Sequence, residues 1–184
     1  MIEKTLVLIQ KDAMARNLAG EIISRIEKAG FAVKALKMVR PSDAMARRHY
    51  TTSDEQIVGM GNKTLKAAKE SGREEEVMRM FETEDPKKIG NVLHSWLIDF
   101  ITEKPVLAIV FEGEDVIKKV RAIVGYTDPA KAEKGTIRGD LGSDSIERAN
   151  KEMRKVENLI HASDSPESSE REIAVWFEEN EIHK

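Results

Sequence analysis

His161 is the residue of this sequence whose type and setting most favour chemistry. It ends the apolar run at residues 156–161, and Ser165 with Pro166 follows as the pattern of a helix start. At a junction between a strand and a helix, side chains and free backbone N–H groups converge on ligands. One histidine so placed indicates a functional site without fixing its reaction.

The other three histidines favour simpler roles. His49 and His183 lie in charged or polar stretches, and we predict that both are surface residues. His94 lies beside the apolar face of a predicted helix, where a boundary or stacking role is expected.

Composition narrows the class of protein. The chain has 184 residues, 34% of them charged and 40% hydrophobic, which is typical of one soluble globular domain. A net charge of -3 argues against a stable nucleic-acid partner. The absence of cysteine excludes thiolate catalysis and zinc–thiolate sites. With neither a signal peptide nor a membrane span in the sequence, we expect a cytoplasmic protein.

The elements that must position His161 alternate along the chain. Short apolar runs predict strands at residues 5–9, 31–39, 105–111 and 156–161. Helical spacing or capping residues predict helices at 18–29, 42–50, 115–124 and 145–154, and a last helix from Ser165. One or two surface helices are expected within 51–85, and a polar loop at 126–143.

The helix that starts at Pro86 has a strong predicted core face. That face comprises Ile89, Val92, Leu93, Trp96, Leu97 and Phe100.

This order predicts an α+β fold in one domain. It fits the ferredoxin-like split β-α-β, with a four-stranded antiparallel sheet and flanking helices. The alternative is a doubly wound parallel sheet, which normally has a glycine-rich turn where this chain has Gln10-Lys11-Asp12-Ala13. The stretch at 59–64 (GMGNKT) is not a phosphate-binding loop, because Asn62 precedes the lysine and no strand precedes the stretch.

The segment from Asn158 to Ser165 (NLIHASDS) closely resembles the active-site signature of nucleoside diphosphate kinases. Further blocks follow that family's order: residues 6–9 with Asp12, 18–23 (LAGEII), His49-Tyr50, 121–129 (RAIVGYTDP) and 135–140 (GTIRGD). The resemblance implies a single domain over residues 1–184. It covers nearly the whole chain, apart from a helical insertion near 51–90 and a smaller insertion near 143–153.

The resemblance implies a reaction and its partners. A nucleoside triphosphate gives its γ-phosphate to a nucleoside diphosphate through a phosphohistidine, in a ping-pong cycle. Mg²⁺ arrives with the nucleotide, bridging its phosphates, and the chain itself supplies no metal ligand. Members of this family assemble as homo-oligomers.

The resemblance also implies residue roles. His161 is the nucleophile, Glu172 orients it and Ser163 assists, and the catalytic group also includes Tyr50 and Lys11. Nucleotide binding falls to Arg121, Thr127, Arg138 and Asn158, with His94, near Trp96, as a surface for the base.

One departure concerns the end of the first strand. Where the family has Lys-Pro-Asp, this chain has Gln10-Lys11-Asp12, so Gln10 occupies the place of the lysine. Lys11 comes one residue late, and one step along a strand reverses the side chain's direction. We favour a local bulge that lets Lys11 partly fill the role. The alternative is a nucleotide-binding regulatory module with weak or no turnover.

Overall fold

The computed structural model describes residues 1–183, which fold around one antiparallel sheet. Its strands are β1 (Ile2–Ile9), β2 (Ala32–Val39), β3 (Val106–Glu114) and β4 (Ile160–Ala162). They lie side by side in the order β2-β3-β1-β4, and every neighbouring pair is antiparallel. The ferredoxin-like prediction is confirmed, and the alternative of a doubly wound parallel sheet is wrong.

Helices cover both faces of this sheet. They are α1 (Lys11–Ala15), α2 (Ala19–Lys28), α3 (Asp43–His49), α4 (Asp54–Glu70), α5 (Glu74–Phe81), α6 (Pro86–Thr102), α7 (Val116–Val124), α8 (Ile137–Leu141), α9 (Ile146–Lys151) and α10 (Pro166–Trp176). Short 3-10 turns lie at Pro129–Lys131 and Glu179–Glu181. Within residues 1–183, none of these helices has the length and apolar character needed to cross a membrane.

Alternation along β1 divides the core in two. Val7 and Ile9 pack with residues of α2 and α7 on one face of the sheet. Leu6 and Leu8 pack with residues of α3, α6 and α10 on the other face. Each fully buried Leu or Ile contributes about 1.5–3 kcal/mol relative to an exposed one, so both faces are strongly held.

Side-chain caps fix where the helices start. Ser42 and Ser165 each accept a hydrogen bond from a backbone N–H of the first turn, as predicted. Pro166 follows Ser165 at the first helical position, where its missing N–H costs nothing. These caps begin α3 and α10, the two helices that carry residues against His161.

Two glycines let α4 and α6 cross at close range. A methyl group on Gly61 would overlap the Pro86 carbonyl, and one on Gly90 would overlap the Ile57 carbonyl. The stretch at 59–64 therefore lies inside a helix and serves packing, in agreement with its rejection as a phosphate loop.

The predicted core face of α6 is partly wrong. The buried residues of this helix are Ile89, Gly90, Ile98, Phe100 and Ile101. Val92 is 37% exposed, because α6 packs on α4 near its start and on the sheet near its end.

The segments on either side of the predicted fourth strand also differ from expectation. Residues 126–143, predicted as a loop, contain the five-residue helix α8. The fourth strand is Ile160–Ala162 rather than 156–161. Leu159 just before it has a φ of 70°, a left-handed conformation that ends regular pairing.

Candidate active site

His161 lies on β4 opposite Leu8 of β1, on the sheet face covered by α3, α6 and α10. Its Nε2 is 2.9 Å from Oε2 of Glu172, and its side chain stays 23% exposed. A carboxylate accepts hydrogen bonds, so Nε2 carries the proton and Nδ1 keeps a free lone pair. The structure therefore holds this imidazole in the tautomer that a nucleophile needs.

Glu172 reaches the ring because α10 begins five residues after His161 and packs on the sheet. Its Oε2 also accepts a hydrogen bond of 2.7 Å from Oγ of Ser163. Burial alone would raise the pKa of Glu172, but the hydrogen bond and charge of His161, the charge of His49 and the Ser163 bond outweigh burial and lower it. Glu172 is thus an ionised, doubly bonded support for the imidazole.

His49 stands directly against His161 and is buried, so its prediction as a surface residue is wrong. The two ring centroids are 4.7 Å apart in an edge arrangement, and Nδ1 of His49 accepts a bond of 3.2 Å from Nε1 of Trp176. Burial, with the charges of His161 and Arg171, lowers the pKa of His49 to about 3. The sequence signal missed here is spacing: His49 lies three residues after the buried Ala46 and four after Met45, which packs against the core, so it shares their face of the helix.

The Tyr50 ring packs against His49 and lies near the same imidazole. Its ring centroid lies 6.5 Å from that of His161. Burial and the charge of Glu172 raise the pKa of its phenol, which stays protonated. One nitrogen each of His49 and His161, with Glu172, lies within a 4.8 Å span that a metal ion could also use. The Glu172 oxygen is already occupied by two hydrogen bonds, which favours the imidazole support over a metal centre.

Arg138 is held in front of β4 by backbone carbonyls. Its guanidinium donates to the carbonyls of Gly125 (2.9 Å), Asn158 (3.1 Å) and Ile160 (2.7 Å). Burial and the nearby charge of Arg121 lower the pKa of Arg138 to about 10, so the group remains cationic at neutral pH. A fixed planar fork of this kind suits phosphate oxygens.

The other predicted phosphate ligands lie on the same side. Arg121 is exposed on α7, close enough to Arg138 for their charges to interact. Thr127 is exposed, and its carbonyl accepts a bond of 3.1 Å from Nδ2 of the buried Asn158. The structure therefore brings Arg138, Asn158 and Thr127 together beside β4, with Arg121 close to Arg138.

Asp12 fixes the backbone turn that leads into β4. Its buried carboxylate accepts a bond of 2.8 Å from the N–H of Leu159, and the Leu159 carbonyl accepts one of 2.8 Å from the Gln10 N–H. These two bonds hold Leu159 at a φ of 70°, a strained conformation for a residue with a Cβ. The resemblance included Asp12 without revealing this role.

Lys11 and His94 have other partners in the structure. The Lys11 ammonium forms an ion pair with Glu103 and lies 4.5 Å from the Phe100 ring centroid. Nε2 of His94 bonds the Tyr50 carbonyl at 3.0 Å, and Trp96 stacks on Phe81. Their assignment to catalysis and base binding stays a prediction.

Lys155 is a residue that sequence reasoning missed. Its ammonium lies 3.2 Å from Oδ1 of Asn158, 3.5 Å from Oε1 of Gln10 and 4.0 Å from the Phe100 ring centroid. A lysine three residues before Asn158 was the available signal, but its contacts with Gln10 and Phe100 join residues far apart in the chain.

Comparisons with known proteins agree with this geometry. The family model of nucleoside diphosphate kinase matches residues 3–59 and 64–182. The nucleoside diphosphate kinase of Pyrobaculum aerophilum is 44% identical over 181 residues, covering 98% of each chain. That of Archaeoglobus fulgidus is 36% identical, covering 98% of this chain and 90% of the relative.

Solved structures give the same result. The crystal structure of an NDP kinase from Pyrobaculum aerophilum superposes with a TM-score of 0.94 at 42% identity, covering 100% of both chains. A transition-state mimic of the Borrelia burgdorferi nucleoside-diphosphate kinase, with bound vanadate and ADP, has a TM-score of 0.77 at 30% identity, covering 100% of this chain and 91% of that one. The chain therefore belongs to the nucleoside diphosphate kinase family, and it is an enzyme that transfers phosphate between nucleotides.

Proposed function

We propose that Nδ1 of His161 is the atom that carries the phosphate. It attacks the γ-phosphorus of a nucleoside triphosphate, the bond from that phosphorus to the β,γ-bridging oxygen breaks, and the diphosphate leaves. A terminal oxygen of a second diphosphate then attacks the same phosphorus, and the N–P bond breaks. The observation that carries this proposal is the 2.9 Å bond from Nε2 to Glu172, which leaves Nδ1 unprotonated.

Glu172 has a second effect during transfer. Phosphorylation at Nδ1 draws electron density from the ring, and the adjacent carboxylate stabilises the positive charge that develops there. Because Ser163 also donates to Glu172, the carboxylate cannot rotate away from the ring. Tyr50 and His49 exclude water from that side of the imidazole.

Arg121, Arg138 and Thr127 would bind the phosphates, and Asn158 would bind the sugar hydroxyls. This assignment is supported by the common position of these residues in front of β4 and by the fixed direction of the Arg138 fork. The vanadate and ADP bound to the Borrelia burgdorferi relative are consistent with such a site, because vanadate resembles a phosphoryl group in transfer.

Mg²⁺ enters as part of the nucleotide substrate. It would bridge the β- and γ-phosphates and neutralise charge there. The residues around the proposed phosphate position are mostly cations and neutral donors, which suits a metal held by phosphate oxygens rather than by the chain.

Further properties stay proposals. Residues 1–184 would form one domain with a helical insertion near 51–90, where the structure has α4, α5 and the start of α6. A homo-oligomer, a cytoplasmic location and nucleoside di- and triphosphates as the exchanged partners are likewise expected.

Incubation with γ-labelled nucleoside triphosphate tests the function. We expect an acid-labile, base-stable label on the wild-type protein, discharged by added diphosphate, and no label on His161→Ala. His183→Ala is the matched control, because His183 is an exposed histidine of the tail and should label normally. An unlabelled wild type that still binds nucleotide would support the regulatory module instead.

A further inference from the structure

The ammonium of Lys155 is half-buried, and it donates hydrogen bonds only to neutral oxygens. Its hydrogen-bond acceptors are Oδ1 of Asn158, Oε1 of Gln10 and the Val156 carbonyl, at 3.1–3.5 Å. Among residues 1–183 it forms no ion pair within 4.0 Å. Removing a cation from water without a carboxylate partner is costly, so such a group is stabilised when an anion arrives.

Lys11 provides an internal contrast. It contacts the same Phe100 ring, yet its charge is compensated by Glu103. An ammonium that is already paired with a carboxylate gains less from a phosphate than an unpaired one does. Of the two lysines at this ring, Lys155 is the one whose charge is available.

Lys155 also faces the reacting side of the sheet. Leu8 lies opposite His161, and Gln10 follows two residues later, so both side chains lie on the face of the His161 ring. Gln10 and His161 are therefore diagonal neighbours, which are about 7–8 Å apart. A phosphate group placed between their side chains would contact both. Gln10 occupies the position where the resemblance places a lysine, and the Lys155 ammonium lies at the end of its side chain.

Arg138 lies on the other side of Asn158. It donates to the Asn158 carbonyl, while Lys155 donates to the Asn158 side chain. The charges of Arg138 and Lys155 are close enough to influence each other. The two cations thus flank one buried residue that the proposed function assigns to the sugar.

We propose that Lys155 binds the nucleotide phosphates beside Arg138 and supplies the cationic charge that Gln10 lacks. This inference rests on the proposed function. On nucleotide binding, phosphate oxygens replace the neutral acceptors of Lys155, which also frees Oδ1 of Asn158 for a sugar hydroxyl.

The pKa of Lys155 allows the proposal to be tested through the pH dependence of activity. Burial and the charges of Arg138 and Lys11 lower its pKa to about 7, although Asp12 and Glu157 act in the opposite direction. In the free enzyme the ammonium is therefore lost as pH rises above 7. Arginine at this position would stay charged throughout the range.

The first experiment compares Lys155→Met with wild type and with Lys151→Met, an exposed lysine of α9, as the matched control. We expect Lys155→Met to lower kcat/KM roughly 100-fold and to weaken ADP binding measured by calorimetry, while Lys151→Met changes neither. Circular dichroism and thermal unfolding check that the variant is folded. A folded Lys155→Met within twofold of wild type would overturn the proposal.

The second experiment measures kcat/KM between pH 7.5 and 9, where nucleotide phosphates are fully ionised. Wild type should lose about tenfold per pH unit, as one required proton is lost, and Lys155→Arg should be nearly flat. A flat wild-type profile contradicts the proposal.

A lysine introduced at position 10 tests whether Lys155 or Lys11 supplies the charge. Gln10→Lys in the Lys155→Met background should recover part of the lost activity, whereas Lys11→Met should cost far less than Lys155→Met. The reverse order of the two lysine variants would assign the role to Lys11. Phosphoenzyme labelling of the wild type is measured in parallel: its absence defeats the proposed function, whereas a labelled wild type with a fully active Lys155→Met defeats this inference alone.

Discussion

On the nucleophile side of the site, Glu172 accepts hydrogen bonds from both His161 and Ser163. On the proposed phosphate side, within residues 1–183, Arg138 and Lys155 donate only to neutral oxygens. The first arrangement fixes one proton and one ring direction. The second fixes two cations in place without neutralising them. A phosphate carrier needs both, because its nucleophile must be uncharged and its substrate is an anion.

The difference extends to the surroundings of each side. The proposed nucleophile is bounded by the buried His49 and the half-buried Tyr50, which are both kept neutral. Among the proposed phosphate ligands, Arg138 lies on the short helix α8 and is fixed by hydrogen bonds from its guanidinium to main-chain carbonyls. Packing therefore positions the first group, and hydrogen bonds to main chain position the second.

The largest expected effect comes from removing Arg138. Arg138→Met should lower kcat/KM on the order of 10³-fold, because a cation on the transferring phosphate is lost. It should also lower the free energy of unfolding by about 2 kcal/mol, since three carbonyls lose a charged donor.

Steady-state kinetics and urea denaturation measure the two effects. Arg148→Met on α9, an exposed arginine paired with Glu152, is the control and should change neither. An Arg138→Met enzyme with normal activity and reduced stability would show that Arg138 has a structural role only. The contrast between the nucleophile side and the proposed phosphate side would then fail.

A smaller effect is expected on the nucleophile side. Glu172→Gln should lower kcat on the order of 10²-fold with little change in KM, because Glu172 orients the imidazole without touching phosphate. Phosphoenzyme formation in single-turnover experiments gives the measurement. Glu170→Gln, an exposed neighbour on α10, serves as control. A change in KM with unaltered kcat would place Glu172 on the phosphate side.

The smallest effect concerns acid stability. His49 has a pKa of about 3 in the folded protein and 6.5 in the unfolded chain. Below pH 6.5 the unfolded chain therefore binds a proton at His49 that the folded protein does not bind. Stability is present in full above pH 6.5 and falls by about 1.4 kcal/mol per pH unit below it.

Denaturation at pH 7 and 5.5 measures this slope. His49→Gln, whose amide can still accept from Trp176, should be less sensitive to acid over that interval, and His183→Gln should behave as wild type. Equal slopes for all three proteins would mean that His49 titrates normally.

Sequence patterns predicted most of the sheet because strands give local signals. They also marked His161 as a candidate for chemistry, and its role as the nucleophile stays a proposal. Apolar runs marked the first three strands and overlapped the fourth only at Ile160 and His161. Ser165 with Pro166 marked the helix that carries Glu172. The helix α8 was not predicted because five residues are too few to show the helical period of apolar residues.

Other features depend on contacts far apart in the chain. The burial of His49 requires Trp176 on α10 to cover it. The left-handed turn at Leu159 is held by Asp12 from 147 residues away. The Lys155 ammonium is likewise placed by contacts with Phe100 and Gln10, which are distant in the chain. No local pattern records such a constraint, and only the assembled fold reveals it.

The two edges of the sheet have very different lengths. β4 has three residues, whereas β2, at the opposite edge, has eight and carries the exposed side chains of Leu36 and Met38. An edge of three residues offers too few free N–H and C=O groups to seat another strand, so any strand addition is directed to β2. A strand added at β2 would lie at the edge of the sheet opposite β4, away from His161.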